Sequence, residues 1–298
     1  MSTDKTLTAR DVVAELRDGM TIGIGGWGPR RKPMSLVREI LRSDLKDLTI
    51  VGYGGADMGM LCAANRVKKL IYGFVSLDFI PLEPFFRAAR EAGAVEALEL
   101  DEGMLHWGLR AAAMRLPFLP TRVGLGTDFL QNNPDMKTIA SPYADGETLL
   151  ALPAIKLDVA LLHTHVADRR GNTRLYAPDP FFDEWIARAA DRCFVSCETL
   201  VDEIASDEND AKYNLFERSL VNGVVEARGG AHPSSNVSLN DDSGYGWDVP
   251  HLKRYCEAAA EEGGWQKYAD EFLGADEADY QKAVGGLDAI TSLPRQVF

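Results

Sequence analysis

Apolar residues in the first half of the chain switch repeatedly between a helical and a strand-like rhythm, and that switching predicts the fold. Val12, Val13 and Leu16 mark one face of a helix that Thr8 caps and Gly19 closes. Met20 to Ile24 is a mainly apolar run suited to a buried strand, and Met34, Val37, Ile40 and Leu41 then trace a helix over Pro33–Arg42. Leu48 to Tyr53 and Leu70 to Val75 read as further strands. Val95 to Leu100 is another, set between helical patterns over Glu83–Ala92 and Met104–Met114. Near-continuous apolar strands alternating with helices predict an α/β fold, a mostly parallel sheet flanked by helices on both faces. Ligands of such a sheet collect where strands end and helices begin.

The second half is less regular. Pro117 to Asp145, with the turn signal Asn132-Asn133-Pro134, is long enough to predict a lid or binding loop. Leu157 to His163 is the clearest strand of the chain, and Asp168 to Asn172 is a charged turn closed by Gly171. Phe181–Ala190 and Cys193–Ser196 continue the alternation as helix and strand. Glu203 to Tyr213 is strongly acidic, and Gly229 to Trp247, rich in Gly, Ser, Asn and Pro, reads as a long surface excursion. Helical patterns cover Val249–Glu262, Trp265–Leu273 and Asp276–Val284. With no repeat or linker in view, residues 1–298 are expected to form a single unit with a helical C-terminal extension over about 249–290.

Composition narrows the class. With 46% apolar and 26% charged residues the chain has an ordinary globular make-up. Its 45 acids outnumber 32 Lys and Arg, which argues against nonspecific binding to nucleic acid. No apolar stretch is long enough to span a bilayer, and the start Met1-Ser2-Thr3-Asp4 lacks the apolar segment of a secretory signal. A cytoplasmic location is the expectation. Cys62, Cys193, Cys197 and Cys256 are scattered without a metal-binding spacing, so buried thiols are expected. His163 and His165 share one face of their strand; lacking a third ligand, they read as packed or hydrogen-bonded imidazoles and no metal is expected.

Candidate chemistry gathers in Thr21-Ile22-Gly23-Ile24-Gly25-Gly26-Trp27-Gly28-Pro29-Arg30-Arg31-Lys32-Pro33. Glycines allow close backbone approach to a ligand, a helix start offers N–H groups to anions, and three consecutive cations favour an anionic ligand. The same residues also fit a tight turn with solvated charges. Gly23, Gly25 and Gly28 only approximate a dinucleotide fingerprint, and no ribose-binding acid follows at the matching distance. Asp101 and Glu102 lie at a second strand–helix boundary, where the helix dipole favours acids whatever their function.

Several segments carry a resemblance. Gly23-Ile24-Gly25-Gly26-Trp27-Gly28, Gly124-Leu125-Gly126-Thr127-Asp128, Ser141-Pro142-Tyr143, Leu152-Pro153-Ala154, Asp158 to His163 and Ala167 to Asn172 occur in consistent order over most of residues 5–230. Together they resemble the α subunits of class I coenzyme A transferases, particularly the glutaconate-type branch. Arg30-Arg31-Lys32-Pro33, Tyr72 to Asp78, Asp101 to Leu105, Leu116 to Pro120, Gly229 to His232 and Glu277 to Gln281 are further similar to the α subunits of the actinobacterial cholesterol ring-cleaving hydrolases.

That resemblance implies a cofactor-free enzyme acting on a coenzyme A thioester, with a β subunit of similar fold in an α2β2 assembly. Its reaction would cleave a ring carbon–carbon bond of a cyclic 3-oxo acyl-CoA in steroid catabolism. Glu102 would be the general base for water, with Asp101 the alternative acid. Gly25, Gly26 and Gly28 would offer free N–H groups to an oxyanion or thioester. Arg30, Arg31 and Lys32 would contact coenzyme A phosphates or a substrate carboxylate. Tyr53 and Gly54 would shape the pocket, with Ser76 and Asp78 secondary candidates. Two other readings stay open: a transferase exchanging coenzyme A between carboxylic acids, and a noncatalytic acyl-CoA-binding subunit.

Overall fold

A computed structural model describes residues 4–143, 145–204, 211–240 and 244–295. Thr8 starts α1 (Ala9–Ala14) with a capping box, its hydroxyl accepting from the Asp11 N–H while the Asp11 carboxylate accepts from the Thr8 N–H. Strand–helix units follow as β1 (Thr21–Trp27), α2 (Met34–Arg42), β2 (Leu48–Gly54), α3 (Ala56–Ala63), β3 (Val67–Val75), α4 (Pro84–Glu91), β4 (Glu96–Glu99) and α5 (Glu102–Ala113). Next come β5 (Phe118–Thr121), α6 (Phe129–Asn132), β6 (Lys137–Ala140) and β7 (Thr148–Pro153). β8 (Leu157–Asp168), β9 (Thr173–Arg174), α7 (Asp183–Ala189), β10 (Ala190–Val201) and β11 (Val221–Glu226) complete the sheet region. α8 (Val249–Ala259), α9 (Gly264–Phe272), α10 (Glu277–Ala283) and α11 (Leu287–Thr291) follow.

Among the described residues the main sheet runs β11-β10-β8-β1-β2-β3-β4, parallel at every step, with β9 antiparallel to β8. The expected α/β class, a mostly parallel sheet flanked by helices, is the one observed. β1 is central: Ile22, Gly23 and Ile24 pair with Ile50, Val51 and Gly52 on one side and with Val159, Ala160 and Leu161 on the other. From β1 the chain builds outward through β2, β3 and β4, then returns to build the opposite half from β8. Strand order therefore reverses beside β1, and the crevice at the carboxyl ends there is the usual ligand position of such sheets.

Period-two alternation divides the core between the two faces. Ile22, Ile24, Leu48, Ile50, Val159 and Leu161 point to the face covered by α2, α3 and α4, where Leu252, Tyr255, Tyr268 and Phe272 of α8 and α9 join the same cluster. Val51, Tyr53, Ala160, Leu162 and Val195 point to the other face, against Leu105 and Leu109 of α5 and Ile186 of α7. Cys62, Cys193 and Cys197 are buried free thiols, as expected, while Cys256 is half-buried. Burial pushes the Cys62 and Cys197 thiols up to about 12.

Four segments differ from expectation. β1 continues to Trp27, so the strand absorbs part of the glycine-rich turn through a register shift between Ile24 and Trp27. α3 was not anticipated, because nearly all its residues are buried and no polar face marks a helical period. The segment expected as a lid or binding loop, Pro117 to Asp145, carries β5, α6 and β6, and its two strands flank β7 in a three-stranded antiparallel sheet, β5-β7-β6. Pro120 lies on its edge strand β5, where a missing N–H is tolerated, and Leu150 and Leu152 anchor β7 in the second core. Gly229 to Trp247 is no surface excursion: Ala231, His232, Ser234, Ser235 and Asn236 are at most 2% exposed and Tyr245 is fully buried. His232 bonds Tyr280 at 2.7 Å and Asp248 at 3.1 Å, and Tyr245 bonds Glu198 at 2.7 Å, pairings that let hydrophilic residues of this segment lie inside. Residues 241–243 of that segment, and residues 205–210 of the acidic Glu203–Tyr213 stretch, lie outside the described residues.

Candidate active site

At the carboxyl end of β1, Trp27, Arg30 and Arg31 line a cavity of about 580 Å3 together with Glu102, Ala177, Pro178, Asp179, Phe181, Phe182, Ser235 and Val237. The location is the one the strand order predicts. Aromatic rings form much of its wall, with Trp27 and Phe181 stacked at 6.0 Å between centroids. The charged groups on that wall are Arg30, Arg31, Glu102 and Asp179.

Glu102 is the first residue of α5, and it is half-buried where it meets the cavity. Asp101 is the N-cap: its carboxylate accepts from the N–H of Gly103 at 2.7 Å and of Met104 at 3.3 Å. The neighbouring acids thus divide their work by position. Asp101 is spent on the helix start and is exposed outside the cavity lining, whereas Glu102 faces it.

The basic triplet is largely internal. Arg31 is 2% exposed and ion-paired with Asp183, itself 1% exposed. Its guanidinium also donates to the carbonyls of Asp179 at 3.2 Å and Pro180 at 3.1 Å, fixing the loop that carries Phe181 and Phe182. Lys32 is fully buried, 3.1 Å from the Asp57 carboxylate. It is neither a solvated charge nor part of the cavity wall, unlike the contact for phosphate or carboxylate expected of it. Arg30 pairs with Asp78 and lies over the Trp27 and Trp247 rings at 4.9 and 5.7 Å.

The N–H groups of Gly26 and Gly28, expected to be free for a ligand, are engaged within the chain. The Gly26 N–H donates to Asp183 at 2.8 Å, the Trp27 N–H to the Arg30 carbonyl at 3.0 Å, and the Gly28 N–H to the Tyr53 carbonyl at 3.2 Å. These donors are occupied, so they do not form an open oxyanion hole. Gly25 is needed for close packing, since a Cβ there would stand 2.5 Å from Leu162 Cδ2 and 2.9 Å from Asp183 Oδ1. Gly25, Gly26, Gly28, Tyr53 and Gly54 are all buried and lie outside the cavity lining. Of the expected site residues, Arg30, Arg31 and Glu102 are brought together around the cavity.

Sequence reasoning missed Phe181, Phe182, Ser235 and Val237. Phe181 adopts a left-handed φ of 52°, a conformation uncommon for a bulky residue and held here by stacking on Trp27. Val237 is tied down by the expected hydrogen-bonded imidazoles. His165 Nε2–H donates to the Val237 carbonyl at 3.1 Å while Nδ1 accepts from the Tyr176 N–H at 3.1 Å. Burial pushes this imidazole down to about 3, so it is neutral, as that pattern of donor and acceptor requires. His163 bonds Ser196 at 2.8 Å and Glu198 at 2.9 Å. Burial pushes the Glu198 carboxyl up, but bonds from His163, Tyr245 and the Gly229 N–H outweigh it and leave the group below its ordinary range.

Fold and cavity together define an enzyme-like α/β chain with two acids, Glu102 and Asp179, and two arginines at a switch point. The chain belongs to the coenzyme A transferase family, whose family model matches residues 6–227. It is 48% identical over 288 residues to the cholesterol ring-cleaving hydrolase IpdA subunit of Rhodococcus jostii, covering 94% of this chain and 96% of that protein. The IpdA subunit of Mycobacterium tuberculosis is 48% identical over 294 residues, covering 96% of this chain and 99% of that protein. Among solved structures, glutaconate coenzyme A-transferase from Acidaminococcus fermentans superposes with a TM-score of 0.84 at 29% identity, covering 96% of this chain and 94% of that one. No helix among the described residues is long and apolar enough to cross a membrane.

Proposed function

We propose that this chain is the α subunit of a hydrolase that cleaves a ring carbon–carbon bond of a cyclic 3-oxo acyl-CoA in steroid catabolism. End-to-end identity of 48% to two cholesterol ring-cleaving hydrolase subunits carries the reading. An aromatic cavity with the Glu102 carboxylate, which does not cap α5, on its wall agrees with it. The partner is a β subunit of similar fold in an α2β2 assembly, located in the cytoplasm.

In this mechanism the Glu102 carboxylate takes a proton from water, and the water oxygen forms a bond to the ring ketone carbon. The resulting tetrahedral oxyanion collapses, and the bond between that carbon and the thioester α-carbon breaks. Its electron pair remains on the α-carbon as the thioester enolate, which protonation converts into the ring-opened acyl-CoA bearing a new carboxylate. No oxidant, reductant or cofactor is needed for this balance. Arg30, partly exposed beside Asp78, is the cation placed to meet a substrate carboxylate or developing negative charge, while Arg31, paired with Asp183, holds the wall of the cavity.

The test combines the chain with its β subunit and supplies a cyclic 3-oxo acyl-CoA with and without an acceptor acid. Ring opening without acceptor is expected, and Glu102→Gln should lower turnover by roughly 10²–10⁴-fold while the complex still assembles. Thioester exchange that depends on the acceptor would replace this reading with the transferase one. Unchanged cleavage in Glu102→Gln would move the chemistry to the partner chain.

A further inference from the structure

Tyr53 is the penultimate residue of β2, the strand next to β1, yet it is fully buried and does not line the cavity. Its phenol instead donates to the backbone carbonyl of Glu102 at 2.9 Å. Its ring stacks on Phe182 with centroids 4.4 Å apart and planes 25° from parallel. Phe182 and Glu102 both line the cavity, so one rigid side chain contacts the acid's backbone and the aromatic wall beside it. Phe74 completes the setting, its ring 5.9 Å from Tyr53 and 4.7 Å from Trp27.

Glycine at position 73 makes this arrangement possible. A Cβ there would stand 3.0 Å from Tyr53 Cε1 and 3.4 Å from the Glu102 Cα. The ring therefore occupies a slot between β3 and the start of α5 that a larger residue at 73 would narrow. Burial, with the nearby Glu102 and Asp101 charges, raises the phenol well above its ordinary range, so it stays protonated and able to donate.

We infer that Tyr53 is a positioning residue, which sets the direction of the Glu102 carboxylate through the backbone of the first turn of α5 and holds Phe182 in register with it. Capping by Asp101 fixes the N–H side of this turn and the Tyr53 hydroxyl fixes the Glu102 carbonyl. General-base catalysis depends steeply on such placement, and a shift near 1 Å can cost about a hundredfold. The inference rests on the proposed role of Glu102.

The experiment is a double-mutant cycle on the full chain assembled with its partner subunit, using a cyclic 3-oxo acyl-CoA. Tyr53→Phe removes one hydroxyl and keeps the Phe182 stack. It should lower kcat roughly ten- to a hundredfold with KM unchanged. Combined with Glu102→Gln, it should add nothing to the loss that Glu102→Gln causes alone. Wild-type kcat in Tyr53→Phe, a change confined to KM, or losses that multiply in the double variant would overturn the inference. Should Tyr53→Phe fail to assemble, Gly73→Ala gives a second route, because its Cβ crowds the same ring; the same kcat-only loss is expected, and unchanged kcat would count against the inference. Full activity in Glu102→Gln is a separate outcome that defeats the proposed function itself.

Discussion

Removing the Asp183 carboxylate should destabilise the chain more than any exposed charge change. Arg31 and Asp183 are 2% and 1% exposed, so neither group regains water when the other is lost. Breaking a buried pair from one side typically costs about 3–5 kcal/mol, because the remaining charge is left uncompensated. Asp183 has a second duty, accepting the Gly26 N–H at 2.8 Å, and an orphaned buried donor costs roughly 1–3 kcal/mol. The two penalties overlap, so Asp183→Ala is expected near the upper end of the first range. Asp183→Asn keeps an acceptor for Gly26 and should be milder.

Urea unfolding, read as the free energy extrapolated to water, measures these losses. Arg31→Met combined with Asp183→Ala removes both charges and should recover most of the cost while leaving the Gly26 N–H unpaired. That recovery separates an electrostatic penalty from a simple cavity. Arg31 also holds the carbonyls of Asp179 and Pro180, so the cavity wall should loosen in every variant that disturbs the pair. A loss below about 1 kcal/mol in Asp183→Ala would refute the reasoning, as would a double variant no better than the single.

Two further outcomes concern backbone and pH. Gly26→Ala meets both a left-handed φ of 76° and a backbone contact 2.4 Å from the Arg30 carbonyl oxygen, whereas Gly19 has φ of 79° and open space around its Cβ. Gly19→Ala should cost about 1–2 kcal/mol and Gly26→Ala clearly more; equal losses in urea unfolding would rule out the packing contribution. Burial pushes the Glu83 carboxyl up to about 7, against opposing bonds from the N–H groups of Phe86 and Phe85. Its folded form holds a proton that the unfolded chain releases, so its contribution to stability falls as pH rises from about 4.5 to 7 and then levels. Glu83→Gln should lose that slope. Parallel melting curves for Glu83→Gln and wild type across this range would contradict the assignment.

Much of the fold was legible because the strands report their own environment. Ile22 and Ile24, or Val159 and Leu161, carry apolar side chains on a strand buried on both faces, and no distant information is needed to read them. The antiparallel sheet was harder, since β6 is exposed along its length and β5 contains Pro120, leaving little alternation to detect. In the site, Glu102 was distinguishable as a candidate, but its separation from Asp101 depends on which carboxylate turns back to cap α5. That is set by the backbone path out of β4, which neighbouring residue types do not disclose.

The internal pairing of Arg31 and Lys32 and the burial of much of the Gly229–Trp247 segment escape a local reading of the sequence for one shared reason. A polar residue is exposed only if no partner meets it inside, and that partner is usually remote in sequence. Arg31 finds Asp183, 152 residues away, and Tyr245 finds Glu198, 47 residues away, at 2.7 Å. Local composition records the charge or hydroxyl and says nothing of the partner, so such residues look like surface or ligand contacts. Pairing then reverses the inference: Arg31 works by holding the Asp179–Pro180 loop, and Tyr245 by joining Ala231 to Glu198. Ser235 and Val237 reach the cavity because this buried segment is fastened from behind by Tyr245 and by His165. The polar interior is thus the support of the site, and replacing its members should alter the shape of the cavity before it alters the charge within it.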